Sequence, residues 1–215
     1  MTLQRSVMRE QIKELVIQRI LEGTYKPGDR VVELQLVQEL GVSQAPVREA
    51  LRDLEAMRLI ETEPYRGARV REVTPEELTE SYPVRAALEE LAGQLASTLA
   101  TEETFTLLEA EMQNMHDAAE ANDQHGLLVH DARFHEVIVE AAGNSVLLDS
   151  WGGLRIEAFT LVSVIKSQLD LGAIAQTHQP IVDALRQRDA DLTGKVMRDH
   201  IEHFGSTLFG GTTHV

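Results

Sequence analysis

Apolar residues recur with a helical period in the first third of the chain. Between residues 7 and 21 they fall on one face of a predicted helix, which Gly23 ends. A second, shorter helix is predicted over residues 32–40. Ser43 stands where a third helix takes its N-cap, and Pro46 falls in the first turn, where a missing N–H costs nothing. The pattern therefore predicts three helices.

Only the tight turn Gly41-Val42-Ser43 separates the second and third predicted helices, which is typical of a helix-turn-helix. Short strands follow at residues 59–63 and 68–73, on either side of the turn Pro64-Tyr65-Arg66-Gly67. This hairpin would form a wing beside the third helix. The first part of the chain thus predicts a winged helix-turn-helix.

The rest of the chain shows helical stripes and no convincing strand. The stripes cover residues 76–98, 103–121, 124–142, 146–168, 171–187 and 189–208. Pro83 falls within the first stripe and Gly152-Gly153 within the fourth, so we expect kinks or breaks there. The predicted fold is mainly α: an N-terminal winged helix-turn-helix of three helices and a β-hairpin, then an all-α bundle of six or seven helices.

Charge separates the chain into two parts. Residues 1–75 hold twelve Lys and Arg against twelve Asp and Glu, whereas residues 76–215 hold eight against 23 and so carry the whole net charge of −15. All eight His lie in the acidic part. We place a linker near Val73-Thr74-Pro75, which predicts two domains, residues 1–75 and residues 76–215. An acidic chain normally disfavours nucleic acid, but here the first domain is neutral.

Composition excludes several classes of protein. With 43% hydrophobic and 26% charged residues, the chain is neither disordered nor fibrous. No apolar run approaches the roughly 20 residues of a membrane span, and the first residues become charged and amphipathic too soon for a signal peptide. We therefore expect a cytoplasmic protein without a membrane partner. Because the chain has no Cys, any metal must be held by His and carboxylates.

Asp131 and His135 are candidate metal ligands, because residues four apart on a helix lie about 40° apart and one turn along. Taken alone, the spacing favours the alternative of a hydrogen-bonded pair on the surface. His130 lies about 100° around the same helix from Asp131 and is not a candidate.

The motifs together resemble the GntR family of bacterial transcriptional regulators, in its FadR-like branch with an FCD-type C-terminal domain. In the first domain these motifs are Pro27-Gly28-Asp29-Arg30, Glu33, Leu40-Gly41-Val42-Ser43, Pro46-Val47-Arg48-Glu49-Ala50-Leu51, Leu54-Glu55 and Gly67. In the second they are Val84-Arg85-Ala86-Ala87-Leu88-Glu89, Asp131-x-x-x-His135, Gly143-Asn144, His178-x-x-Ile181-x-x-Ala184-Leu185 and Met197-x-x-His200.

The resemblance implies a set of DNA-binding residues in the first domain. They are Arg30, Ser43, Gln44, Pro46, Arg48, Arg52, Arg66 and Gly67. Arg48 would bind a phosphate or a guanine edge, the alternative being an ion pair with Glu49 or Glu55. Arg66 would touch the minor groove from the wing tip, the alternative being a solvated loop residue. Many relatives carry Arg where this chain has Gln44, and an Arg or other polar residue where it has Leu34, so base readout is expected to differ.

The resemblance also places His178 and His200 beside Asp131 and His135 inside the bundle. One carboxylate and three imidazoles suit Zn²⁺, or else Ni²⁺, better than Ca²⁺ or Mg²⁺. Two further residues are expected at an effector. Arg85 would bind a carboxylate by a bidentate fork, or else pair with Glu89 along its own helix. Asn144 would hydrogen-bond the effector, or else cap the next helix.

These expectations describe a homodimeric, ligand-responsive regulator rather than an enzyme. It would bind a pseudo-palindromic operator in double-stranded DNA, repress a metabolic operon, and respond to a small carboxylate bound at the metal. Two alternatives are a metal-sensing repressor and a metal-dependent hydrolase or lyase. Against the enzyme, His135-Glu136 is followed by Val-Ile-Val and not by the second His of a zincin helix.

Overall fold

The computed structural model describes residues 2–21, 23–63, 67–72, 74–154 and 170–209. The chain divides into two compact units, Met1–Val73 and Thr74–Val215. The predicted mainly-α fold is confirmed, with the small sheet confined to the first unit.

The first unit is a winged helix-turn-helix. Its elements are α1 (Thr2–Leu21), β1 (Arg30–Val31), α2 (Glu33–Leu40), α3 (Gln44–Ala56), β2 (Ile60–Glu63) and β3 (Gly67–Val70). Gly41 ends α2 at φ 63°, a left-handed conformation in which glycine avoids the strain of a side chain. Ser43 occupies the N-cap position of α3 as predicted, although its side chain makes no capping hydrogen bond.

The wing is the hairpin of β2 and β3, which belongs to a three-stranded antiparallel sheet in the order β1-β3-β2. Ile60 lies opposite Val70, and Arg30 lies opposite Arg69. Strand β1 was not predicted, because two residues are too few to show an alternating pattern. The second predicted strand, residues 68–73, ends earlier than expected, at Val70.

The second unit is an all-helical bundle. Its helices are α4 (Pro75–Leu99), α5 (Glu102–Glu120), α6 (Gln124–Ala141), α7 (Ser145–Gly153), α8 (Leu171–Gln176), α9 (Gln179–Arg186) and α10 (Ala190–Phe209). Thr74 begins α4 with a capping box: its hydroxyl accepts from Glu77 N, and Glu77 Oε2 accepts from Thr74 N at 3.1 Å. Among the described residues, no helix is long and apolar enough to cross a membrane.

Helix α4 packs along α10, and α5 packs along α6. Gly93 permits the close approach of α4 to α10, because a Cβ there would lie 2.8 Å from the side chain of Met197 and 3.2 Å from the carbonyl oxygen of Thr193. Buried side chains such as Phe134 and Ile138 of α6 fill the space between the helix pairs.

The structure tests three of the predicted helix boundaries. Helix α4 continues through Pro83, so a break at that residue is wrong. Helix α7 ends at Gly153, as the Gly152-Gly153 pair indicated, and the remainder of the predicted stripe, residues 155–169, lies outside the described residues. The stripe predicted over residues 171–187 is two helices, because Pro180 lacks the N–H that would continue the helical ladder and instead stands in the first turn of α9.

Candidate nucleic-acid interface and metal centre

An open groove of about 640 Å³ runs between the helix-turn-helix and the wing of the first unit. Five of the predicted DNA-binding residues line it, namely Arg30, Gln44, Arg48, Arg52 and Gly67. Ser43 is exposed immediately before α3. The amino end of α3 and the base of the wing therefore open onto the same surface, as a helix that enters a DNA groove requires.

Arg48 makes an ion pair that the sequence did not predict. Its Nη2 lies 3.0 Å from Oε1 of Glu33 at the start of α2, a different carboxylate from Glu49 and Glu55. The side chain of Arg48 remains 54% exposed. An exposed ion pair contributes little stability, so a DNA phosphate or a guanine edge can replace Glu33 at small cost.

Two other predicted DNA contacts have different outcomes. Pro46 is buried on the inner face of α3, so the prediction that it contacts DNA is wrong, and its ring belongs to the core of the unit. Arg66 lies outside the described residues. Gly67, which begins β3, is exposed at the groove.

Asp131, His135, His178 and His200 come from three parts of the bundle. Asp131 and His135 lie one turn apart on α6, His178 lies at the junction of α8 and α9, and His200 lies on α10. Ligand atoms of the three His lie within 4.8 Å of one another. Asp131 joins them through its Oδ1, which lies 3.0 Å from Nε2 of His178.

Packing holds these rings in place. Phe134, between Asp131 and His135 in sequence, contacts His178 edge-on with ring centroids 4.8 Å apart. His200 lies between His178 and Phe204, at centroid distances of 4.7 and 5.4 Å. Aromatic neighbours of this kind restrict the rotamers of the imidazoles, which favours a preformed site.

The hydrogen bonding of His178 fits a metal ligand. Its Nδ1 donates to the backbone carbonyl oxygen of Ile174 at 3.2 Å, so the neutral ring has its lone pair on Nε2. That Nε2 is buried and makes no hydrogen bond with any residue that the structure describes, although a carboxylate oxygen of Asp131 lies 3.0 Å away. Imidazole nitrogens and a carboxylate oxygen, brought this close together in a buried site, are ligand types that a divalent ion such as Zn²⁺ takes. The residues present therefore fit a divalent ion.

The charge states also suit a cation. Burial acts to raise the pKa of Asp131, but the imidazole of His178 and the nearby charges of His135 and Arg85 hold that pKa well below its usual range. Asp131 is thus ionised. Burial lowers the pKa of His200 well below its usual range, and His178 and His135 lower it further, so its ring is neutral. Metal binding requires ligands in these protonation states.

Glu89 also belongs to the candidate site, although the sequence analysis considered it only as a possible ion-pair partner of Arg85. It is fully buried on α4, and its Oε2 lies 2.6 Å from Nδ1 of His135. Its Oε1 accepts hydrogen bonds from Arg85 Nε at 2.7 Å and from Trp151 Nε1 at 3.0 Å. Burial acts to raise the pKa of Glu89, but the charges of Arg85 and His135 lower it well below its usual range. A carboxylate behind a ligand His is a common support of metal sites.

Arg85 and Asn144, the two residues predicted to bind the effector, make the contacts that the sequence analysis gave as their alternatives. Arg85 forms the buried ion pair with Glu89 along α4, yet it also lines a small cavity beside Asp131 and His200. The Asn144 side-chain oxygen accepts from Leu147 N at 3.1 Å and caps α7. The cavity holds about 10 Å³, close to the space of one water molecule.

His130 does not join the cluster. Its Nδ1 lies 2.7 Å from Oε2 of Glu111 on α5, near the surface. The same helix thus carries His135 inside the cluster and His130 outside it, which provides a matched control for the experiments below.

Comparison with known proteins identifies the family. The protein-family model described as "Bacterial regulatory proteins, gntR family" matches residues 8–70, and the family model of the FCD domain matches residues 80–203. The chain belongs to the GntR family. A probable D-xylose utilization operon transcriptional repressor of Paenarthrobacter nicotinovorans is 35% identical to this GntR-family chain over 93% of the chain and 88% of that protein.

Another relative and two solved structures are also similar to this chain. A gluconate operon transcriptional repressor of Bacillus licheniformis is 29% identical over 86% of this chain and 78% of its own length. The solved structure of E. coli McbR/YncC has the same fold, with a TM-score of 0.74 and 21% identity over 95% of this chain and 98% of that one. A putative GntR regulator from Rhodococcus sp. RHA1 gives a TM-score of 0.72 at 22% identity over the same shares of each chain. The chain is thus a GntR-family transcriptional regulator with an FCD domain.

Proposed function

We propose that this regulator is a homodimer that binds a two-fold operator through residues 1–75 and responds to a small carboxylate bound at a divalent ion in residues 76–215. The observation that carries the proposal is the buried cluster of His135, His178 and His200, with Asp131 3.0 Å from His178. Nε2 of His135 and Nε2 of His178 make no hydrogen bond within the described residues, although Asp131 lies close to the latter. Buried nitrogens without partners are costly, and a cation would satisfy them.

Asp131, His135, His178 and His200 would hold the ion. A set of three imidazoles and one carboxylate suits Zn²⁺, or Ni²⁺, better than Mg²⁺ or Ca²⁺. When bound, the ion offers a further coordination position to an anionic oxygen. Glu89 contributes by supporting His135 from the other side of its ring.

A carboxylate effector is supported by the positive charge of Arg85 at the cavity. Without the ion and Arg85, an anion would enter a domain that carries the whole excess of negative charge. The relatives' names point to sugars and sugar acids, since one is a D-xylose operon repressor and another is a gluconate operon repressor. We therefore propose repression of a metabolic operon, with a sugar acid as the first effector to test.

Dimerisation is supported by an apolar face on α4. Val84, Ala87 and Leu91 are exposed at helical spacing, with Val84 49% and Leu91 40% exposed. Pairing of this face with a second copy would remove it from water. A dimer would also place two recognition helices on the two halves of an operator.

Thermal shift on the full-length protein tests the proposal. Metal-loaded and chelator-stripped samples are each heated with D-gluconate, with D-xylose, and without ligand. We expect D-gluconate to raise the Tm of the loaded sample only, because a ligand that binds the folded state stabilises it. D-Xylose, which has no carboxylate, is the matched control.

Binding to operator DNA is measured on the same samples. A response to D-gluconate only in the loaded sample supports the proposal. A response to metal alone, which D-gluconate leaves unchanged, would instead assign the metal-sensing alternative. Protein without a bound ion, whose Tm is unchanged by every divalent ion, would refute both.

A further inference from the structure

The DNA-facing groove of the first unit exposes large apolar side chains. Leu34 on α2 is 60% exposed, and Val32 just before that helix is 42% exposed. Both line the groove that Gln44 and Arg48 also line. A single exposed leucine on a protein surface is ordinary. In a groove that binds DNA, however, an apolar side chain meets a limited set of chemical partners.

The edges of the bases in the major groove offer one apolar group, the C5-methyl of thymine. Leu34 is the second residue of α2 and Gln44 is the first residue of α3, so both stand at helix amino ends that open onto the groove. The amide of Gln pairs with adenine in a bidentate manner, because its Oε1 accepts from the N6 amino group and its Nε2 donates to N7. Both side chains therefore suit A·T pairs.

Arg48 and Arg52, which also line the groove, are suited to other contacts with DNA. Arg48, whose side chain is suited to guanine or to a phosphate, is paired with Glu33 at 3.0 Å, and either group can replace Glu33 at small cost. Arg52 is exposed along the same helix, where it can neutralise a phosphate. The charged residues thus account for contacts with phosphates or guanine, and Leu34 with Gln44 remains for reading A·T pairs.

We infer that Leu34 and Gln44 are specificity-determining residues that direct this regulator to A·T pairs in each half-site, with Leu34 against a thymine methyl and Gln44 on an adenine. The inference rests on the sequence-specific DNA binding of the family. It does not depend on the metal or the effector.

Selection from a random double-stranded DNA library with the full-length protein tests the inference. In the enriched duplex, each thymine is replaced in turn by deoxyuridine, which lacks only the methyl group. We expect one replacement in each half-site to weaken wild-type binding about fourfold, the effect of losing one buried methyl group. The same replacement should leave binding by Leu34→Ala unchanged.

Gln44 is tested in parallel with 7-deazaadenine, which lacks the N7 acceptor. One such replacement should weaken wild-type binding at least about fivefold and leave Gln44→Ala unaffected. Leu107→Ala removes a 42% exposed leucine from the second unit and should behave as the wild type does. The assignment is wrong if no deoxyuridine or 7-deazaadenine duplex binds the wild type more weakly, or if both variants remain as sensitive as the wild type. A library without any enriched sequence would contradict both this assignment and the DNA binding on which it rests.

Discussion

Trp151 donates a hydrogen bond from its indole Nε1 to Oε1 of Glu89 at 3.0 Å, and the other oxygen of Glu89 lies 2.6 Å from His135. Two residues, Glu89 and His135, therefore stand between the indole and the proposed ion. Trp151 is the single tryptophan of the chain, so its fluorescence reports on this position alone.

Glu89→Gln should weaken metal binding about 10- to 100-fold, because His135 loses the carboxylate behind its ring. The measurement is a Zn²⁺ titration of stripped protein followed by Trp151 emission. Glu90→Gln, at the next position of α4, changes a carboxylate that pairs with Arg198 and should titrate as the wild type does. Equal Zn²⁺ affinity in Glu89→Gln and the wild type would rule out the supporting role of Glu89.

Arg85→Met should lower the free energy of unfolding by about 3–5 kcal/mol, since it leaves the buried carboxylate of Glu89 without its cation. The double variant Arg85→Met, Glu89→Gln should recover part of this loss because it removes the unpaired charge. Urea unfolding of the stripped proteins measures both. A single variant as stable as the wild type would show that the ion pair is not needed to compensate Glu89.

The ion pair between Arg19 of α1 and Glu39 of α2 should make stability depend on acid pH. The hydrogen bonds from Arg19 lower the pKa of Glu39 below its ordinary value. Its stabilising effect is therefore present above the unfolded pKa and is lost as the pH falls through the folded pKa. Glu39→Gln should lower the Tm slightly at neutral pH and low salt, and the difference should vanish in acid or high salt.

The control for this prediction is Glu61→Gln, which changes an exposed carboxylate of β2 in the same unit. It should show no such convergence of melting temperatures in acid. A constant difference between Glu39→Gln and the wild type at every pH would contradict the proposed role of the pair.

Much of the fold could be predicted because local patterns determine it. Gly41 and Ser43 stand at the turn between α2 and α3, and the helical stripes of the bundle identify most of its elements. The break before α9 was missed because the apolar period continues past Pro180, whose missing N–H interrupts the helical ladder.

The candidate site was less accessible to sequence reasoning. Asp131 and His135 could be found from their spacing on one helix, but His178 and His200 entered through the family resemblance. The role of Glu89 depends on burial against Trp151, 62 residues away in sequence. Its spacing from Arg85 indicates only a helical ion pair, which is equally common on an exposed surface. Pro46 likewise faces the core, a direction that its place in the first turn did not reveal.

Arg48→Ala tests the recognition helix. If Arg48 makes a bidentate contact with a base, the substitution should cost about 1–3 kcal/mol of binding and relax preference at one position. If it binds a phosphate, the slope of binding against salt should fall by about one instead. Arg133→Ala, in the second unit, is the control. Binding that is unchanged in both affinity and salt slope would exclude Arg48 from the interface.

The central claim, that a divalent ion links Asp131, His135, His178 and His200 to effector response, is tested most directly by the metal content of His178→Ala. We predict that elemental analysis finds a lower metal content in this variant, and that its Tm falls because the ion no longer links the helices. Operator binding should persist but should no longer respond to D-gluconate. His130→Ala, which alters a His of the same bundle outside the cluster, should keep its ion and its response. Full metal occupancy in His178→Ala, or wild-type protein that contains no divalent ion under any growth condition, would contradict the claim.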